Sequence, residues 1–284
     1  MTASAIPFAK MNGIGNSILV VDLRPSGRAL TSGEARAVGM EPGLHFDQLM
    51  TIERPHGPEA DAFVSIFNID GSLAGACGNG TRCVAWALLR GAPRDEISVE
   101  TAAGPLFCRR LGDTRFSVDM GPPRLGWADI PLAAPVADTT RVPLPDAPAP
   151  DLSVFSAVSM GNPHAVFFVP RLDHIDLGRL GPAIEHNPIF PDRVNASFAE
   201  VVSDRAISLR VWERGAGATL ACGSAACATV VASVRLGLTA RDVAVALPGG
   251  TLDITWRAED GHVIMAGDVE LEHEGVLPSR LLGA

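Results

Sequence analysis

The chain has 284 residues, 47% apolar and 19% charged, with a net charge of −9, an ordinary globular composition long enough for two domains. No run of Lys or Arg makes the basic stripe that a nucleic-acid surface needs, and no uninterrupted apolar run reaches the roughly 18 residues of a membrane span. Met1 to Lys10 lacks the basic and apolar regions of a signal peptide, and five cysteines, an odd number, fit a reducing compartment better than a disulfide framework. A cytoplasmic address is therefore expected, with neither nucleic acid nor membrane as a partner.

In chain order, β-branched stretches bounded by Gly, Pro, Asn or Asp predict strands at Ile18–Asp22, Leu49–Glu53 and Phe63–Asn68, with a short helix at Ser32–Ala37. Cys77-Gly78-Asn79-Gly80 then leads into a helix over Thr81–Arg90 that stops at Gly91. Strands follow at Ile97–Thr101 and Phe116–Asp119, and proline-rich Pro131–Pro150 reads as loop. Further on, Cys222-Gly223-Ser224 leads into a helix over Ala225–Leu236 that stops at Gly237, and strands follow at Val243–Leu247 and Leu252–Trp256. Arg90 and Arg235 are expected in the last turns of the two helices.

The chain also repeats itself at an offset of 145 to 146 residues. Gly15-Asn16-Ser17-Ile18-Leu19-Val20-Val21 is echoed by Gly161-Asn162-Pro163-His164-Ala165-Val166-Phe167, and Ala76-Cys77-Gly78-Asn79 by Ala221-Cys222-Gly223-Ser224. Ala103-Gly104-Pro105-Leu106-Phe107 is echoed by Gly249-Gly250-Thr251-Leu252-Asp253. Three matches in one order point to duplication. The expected fold class is α+β: two pseudo-symmetric domains, each a mostly antiparallel sheet wrapped around a central helix, with a site in the interdomain cleft. The expected halves are residues 1–123 and 124–272, with 273–284 a candidate to return to the first.

Cys77 and Cys222 hold the same place in the two halves, just before a helix. The positive end of the helix dipole and its unpaired N–H groups favour a thiolate there and make a ready anion site for a carboxylate. If a pseudo-two-fold axis brings the helix starts together, one sulfur lies on each face of a substrate Cα. One thiolate then removes the α-proton and the opposite thiol returns one. No pyridoxal-like electron sink is implied, so the backbone N–H groups must stabilise the carbanion. Three rival readings remain at this point: small apolar filler, a disulfide, and a metal site with Cys83 and Cys227. The five- and six-residue spacings put the paired sulfurs on different helix faces, unlike zinc knuckles, so no metal is expected. Cys83, Cys108 and Cys227 read as buried filler.

Further strings accompany the cysteines. They are Lys10-Met11-Asn12-Gly13-Ile14-Gly15-Asn16, Phe46-Asp47-Gln48, Phe67-Asn68-Ile69-Asp70-Gly71-Ser72 and Cys77-Gly78-Asn79-Gly80-Thr81-Arg82-Cys83 in the first half. In the second they are Ser159-Met160-Gly161-Asn162-Pro163-His164, Phe190-Pro191-Asp192-Arg193-Val194-Asn195, Glu213-Arg214-Gly215-Ala216-Gly217 and Ala221-Cys222-Gly223-Ser224. In these strings, from Lys10 to about Leu271, the chain resembles the diaminopimelate epimerase family. The resemblance implies an isomerase without cofactor that interconverts LL- and meso-diaminopimelate, in the supply of lysine and peptidoglycan precursors. It implies a homodimer whose partner is otherwise only its small-molecule substrate.

The resemblance also implies roles. Cys77 and Cys222 would be the acid–base pair, and the N–H groups of Gly78, Asn79, Gly223 and Ser224 would hold the reacting carboxylate. Asn68 and Glu213 would hold the α-ammonium with the Arg214 carbonyl. Asn16, Gln48, Asn162, Asn195 and the Arg214 guanidinium would read the distal amino-acid head, and His164 would sit beside the cysteines and tune them. The sequence departs from the family's pattern at Asn12, Ser17, His45, Ala165, Ala218 and Ala225. The alternatives are a related racemase acting on histidine, proline or hydroxyproline, which would not need the distal set, and a non-catalytic amino-acid-binding protein.

Overall fold

The computed structural model describes residues 6–75 and 77–283. They form two compact units: the first runs to Asp119 and is rejoined at Ala266, and the second is Met120–Met265.

The first unit starts with β1 (Pro7–Asn12), β2 (Ser17–Asp22), α1 (Ser32–Met40), β3 (Gln48–Glu53) and β4 (Ala62–Asn68). It continues with α2 (Gly78–Leu89), β5 (Glu96–Thr101), β6 (Gly104–Arg110) and β7 (Arg115–Asp119). Neighbouring strands pair in chain order, antiparallel except for β2 with β3 and β4 with β5. Each parallel step is bridged by a helix, as a crossover requires. Strands β2 and β3 are buried on both faces, so their alternate residues serve two cores. Leu19, Val21 and Leu49 pack with Ala35 and Val38 of α1, while Met50 lies against the start of α2.

The later elements repeat this plan. After the short β8 (Val142–Pro143) come β9 (Val154–Ser159), β10 (Pro163–Phe168), α3 (Leu177–Glu185), β11 (Asn195–Ser203) and β12 (Ala206–Glu213). Then follow β13 (Gly217–Thr219), α4 (Gly223–Arg235), β14 (Asp242–Leu247), β15 (Gly250–Trp256), β16 (Val263–Asp268) and β17 (Glu270–Val276). β9–β10, β11–β12 and β14–β15 are antiparallel, whereas β10–β11 and β12–β14 are parallel. This is the order of β1 to β6 again, with β13 added as a hairpin partner of β12. Gly15 and Gly161, equivalent in the sequence repeat, both take positive φ (85° and 93°) before the second strand of their unit. The closing strand β17 pairs antiparallel with β1.

Each central helix is wrapped by its sheet: α2 packs on β2, β3, β5, β6 and β7, and α4 on β9, β10, β11 and β15. Ten residues of α4 are buried, most of them Ala, Val or Cys, so it is apolar nearly all round as an enclosed helix must be.

Local details differ from the expectations. Both central helices begin earlier, at Gly78 and Gly223 rather than Thr81 and Ala225, so that Cys77 and Cys222 are themselves the N-caps. Gly80 is there for packing rather than for a turn: a Cβ would lie 2.6 Å from Met50 Sδ. Arg90 is an extended C-cap residue rather than part of the last turn. Helix α1 runs on to Met40 and starts with a capping box in which Thr31 Oγ1 accepts from Glu34 N–H and Glu34 accepts from Thr31 N–H. Helix α3 has no counterpart among the expected elements, and its Gly178, Gly181 and Pro182 have low helix propensity; Asp176 caps it by accepting from Arg179 N–H. The proline-rich stretch is mostly irregular, but its Leu132, Val142 and Leu144 join the core of the second unit.

Candidate active site

In the first unit, register assembles the site. Gln48 of β3 lies opposite Ile18 on one side and Asn68 on the other, so Asn16, Gln48 and Asn68 share one edge of the sheet, where α2 begins. All three are half-buried. Cys77 caps α2 in extended conformation, and its Sγ accepts the Gly80 N–H at 3.3 Å. The sulfur lies 3.4 Å from Gln48 Oε1 and 3.9 Å from Asn16 Oδ1. That set suits a thiol, which donates to one amide oxygen while accepting from the helix. A thiolate there calls for the amides to present N–H instead. Asn16 Nδ2 donates to Asp47 at 3.0 Å, as does Ser17 N–H at 2.8 Å, and Asn68 Nδ2 donates to Ser72 Oγ at 3.0 Å. Gly78 and Asn79 supply first-turn N–H groups, which have no acceptor within their own helix. The Asn79 side chain is buried, with Oδ1 unpartnered.

The second unit builds the same edge with different chemistry. His164 lies opposite Asn195, and Ala196 opposite Trp212, which brings Asn195 beside Glu213. By the repeat, Asn162 is equivalent to Asn16, Asn195 to Gln48 and Glu213 to Asn68. Cys222 caps α4 in extended conformation, and its Sγ lies 3.5 Å from Ser224 Oγ in the first turn. Ser224 Oγ accepts from Asn162 Nδ2 at 3.2 Å, and Asn162 Oδ1 lies 3.0 Å from His164 Nε2. An amide oxygen only accepts, so His164 carries its proton on Nε2. Its ring is fully buried with Nδ1 unpartnered, and burial, then the charge of Arg214, brings its pKa down to about 3. The imidazole is neutral, and a chain of two intervening side chains, Asn162 and Ser224, separates it from the Cys222 sulfur. Glu213 Oε1 accepts from Thr219 Oγ1 at 2.6 Å. Asn195, also buried, accepts the Arg214 N–H at 2.9 Å and donates to Pro163 O at 2.8 Å. The Arg214 guanidinium donates to Asp192 O at 3.0 Å.

The expectation that a helix start lowers the thiol pKa is reversed at Cys222. Burial raises it well above the usual thiol range and the Glu213 charge adds to this, while Ser224 and the Ala225 N–H pull the other way. Burial pushes the Cys83 and Cys108 thiols up to about 12. Among the described residues, no group of three or more His, Cys, Asp and Glu side chains is placed to hold a metal ion. No described helix is long and apolar enough to cross a membrane. Sequence reasoning gave no role to Thr219, Asp47 or Ser72. The signal for Thr219 was present: the turn at Glu213–Gly217 makes a hairpin, which returns the following strand to Glu213.

The family model for diaminopimelate epimerase matches residues 8–126 and 156–272. A diaminopimelate epimerase from Methylocella silvestris is 56% identical over 267 residues, covering 93% of this chain and 92% of its own length. The chain belongs to the diaminopimelate epimerase family. Solved structures share the fold of this family member at low identity. A Pseudomonas aeruginosa protein described as a predicted epimerase has a TM-score of 0.68 at 17% identity, covering 98% of this chain and all (100%) of that one. A hydroxyproline epimerase from Agrobacterium vitis, solved with bound trans-4-hydroxy-L-proline, has a TM-score of 0.66 at 14% identity, covering 96% and 91%. These two likenesses speak to the fold alone.

Proposed function

We propose that the chain interconverts LL- and meso-diaminopimelate by exchanging the Cα proton between Cys77 and Cys222, without cofactor, as a cytoplasmic homodimer. The observation that carries this reading is the equivalence of the half-sites. Each has a cysteine at the N-cap of the enclosed helix, with polar residues from three neighbouring strand ends around it.

In this reading the two half-sites act on one substrate, one sulfur on each face of Cα. The N–H groups of Gly78, Asn79, Gly223 and Ser224 hold the α-carboxylate and take up the charge that grows on it as the C–H bond breaks. Glu213 and Asn68 hold the α-ammonium. An ammonium against Glu213 cancels the charge that opposes ionisation of Cys222, so the bound substrate itself eases that thiol toward the thiolate. One thiolate takes the α-proton to become a thiol, the opposite thiol delivers its proton to the other face, and turnover leaves the thiolate on the opposite sulfur. Asn16, Gln48, Asn162, Asn195 and Arg214 serve the distal head. A site that hydrogen-bonds such a head rejects substrates without one. Neutral His164 acts through Asn162 and Ser224 rather than as a proton carrier.

The test is exchange in deuterated water with reduced enzyme and no added cofactor. LL-diaminopimelate is expected to gain deuterium at Cα and to give the meso form. Cys77→Ala and Cys222→Ala are each expected to abolish epimerisation with unchanged circular dichroism. Exchange with histidine, proline or hydroxyproline but not with diaminopimelate would overturn the substrate assignment. Full activity in either cysteine variant would overturn the two-base scheme.

A further inference from the structure

We propose that Glu185, the last residue of α3, is a positioning residue that clamps the Glu213–Arg214 turn for the substrate's α-ammonium; this rests on the role given above to Glu213. Glu185 is only 4% exposed, and it stands at a helix C-terminus, where the dipole disfavours an anion. A buried carboxylate in such a place is costly unless its oxygens are satisfied. Both are. Oε2 accepts the Trp212 indole N–H at 2.7 Å and Oε1 accepts the Gly215 N–H at 2.9 Å, with Arg193 Nη1 3.5 Å from Oε1. Burial pushes the acid up, but these two bonds and the charges of His186 and Arg193 outweigh it and hold Glu185 ionised below its ordinary range.

The two donors flank the functional pair. Trp212 precedes Glu213, and Gly215 follows Arg214, so one carboxylate pins both ends of a two-residue segment. The surroundings make this a rigid mount. The Trp212 ring is packed against Gly181 of α3, where a Cβ would lie 2.4 Å from Trp212 Cγ, and a Cβ on Gly217 of β13 would lie 3.5 Å from Trp212 Cη2. Thr219 and Asn195 fix the remaining groups of the turn. The two N–H donors meet different oxygens of one side chain, an arrangement that a carboxylate satisfies and Gln, with a single oxygen, does not. Glu185→Gln keeps the volume but sets an NH2 against one of the donors, so it removes half the clamp.

The experiment uses full-length Glu185→Gln, with Trp212→Phe as a second variant that deletes one donor and spares the carboxylate. Two readouts are needed. Amide hydrogen exchange at Gly215 is expected to accelerate about tenfold or more in Glu185→Gln, as a protecting bond is weakened. KM for diaminopimelate is expected to rise about tenfold with kcat changed less than about threefold, the pattern of a lost ground-state binding contact. In a Glu213→Gln background, Glu185→Gln is expected to add less than about twofold to KM, because the two act as a unit. Unchanged Gly215 exchange in both variants overturns the clamp. So does a fall in stability with KM unmoved, which would make Glu185 a purely structural residue. If Glu213→Gln leaves KM untouched, the role of Glu213 is what fails, while Gly215 exchange still decides whether the clamp exists.

Discussion

Cys77 and Cys222 occupy equivalent helix caps in opposite chemical settings. The first is half-buried among a helix N–H and two amide side chains; the second is buried beside a carboxylate and a hydroxyl. The repeat made the equivalence legible from sequence, but the difference was not, because it depends on what lies across the strand ends. The helix field and desolvation act in opposite directions on a thiol, and only burial reveals which wins. A residue-scale prediction follows from the causes at Cys222. Glu213→Gln removes the charge that opposes ionisation, so alkylation of Cys222 at pH 8 should accelerate. Ser224→Ala removes a hydrogen bond that favours the thiolate, so alkylation should slow. Iodoacetamide labelling mapped by mass spectrometry across pH 7 to 10, with each variant compared with the parent, reads both directions. A rate that moves the same way in both variants would show that access to the sulfur, rather than its ionisation, is being measured.

Among the elements, the strands expected from the sequence lie within a residue or two of the observed ones, as at Ile18–Asp22 against β2 and Phe63–Asn68 against β4, whereas β1, β6, β8 to β13, β16 and β17 had no expected counterpart. Glycine-containing helices were not read as well. Gly78 and Gly80 hid the first turn of α2, and Gly181 with Pro182 hid α3 altogether, since glycine is a breaker by local propensity. Close packing overrides that propensity in both places, and it leaves a measurable signature at α3. A methyl group on Gly181 would meet Trp212 Cγ and Cδ2 at 2.4 Å and Cβ at 2.7 Å. These atoms lie near the backbone of β12 and cannot swing aside like the end of a long side chain. Gly181→Ala should therefore destabilise the protein by about 1–3 kcal/mol, despite alanine's better helix propensity. Urea denaturation measures it, and a stabilised variant would mean that α3 is free to shift off the hairpin.

For the whole molecule, the duplicated topology accounts for both the fold and the placement of polar groups at matching strand ends, whereas burial of the cysteines sets how the fold responds to pH. The chain has no tyrosine, and its single lysine, Lys10, is buried against Ser17 and Glu272. Above pH 9, the buried thiols of Cys83, Cys108 and Cys222 stay protonated in the folded chain where the unfolded chain loses those protons. Cys83 and Cys108 are pushed from an ordinary value of 9.0 to about 12, and Cys222 is raised well above 9.0. The sign follows from proton counting. Between the unfolded and the folded pKa, the native state keeps a proton that the unfolded state has lost, so raising the pH favours unfolding. The contribution of these thiols is fully present below pH 9 and is lost as pH rises toward 12. Each thiol can cost up to about 1.4 kcal/mol per pH unit in that window, so three together give a slope of up to about 4. Denaturant midpoints of the reduced protein should be level between pH 7.5 and 8.5 and fall steeply between about pH 9 and 10.5. Cys108→Ala should lower the midpoint at pH 8 by leaving a small cavity, yet flatten the alkaline limb by roughly a third. A midpoint that stays level to pH 10.5 in the parent would show that these thiols ionise in the folded state as they do in water.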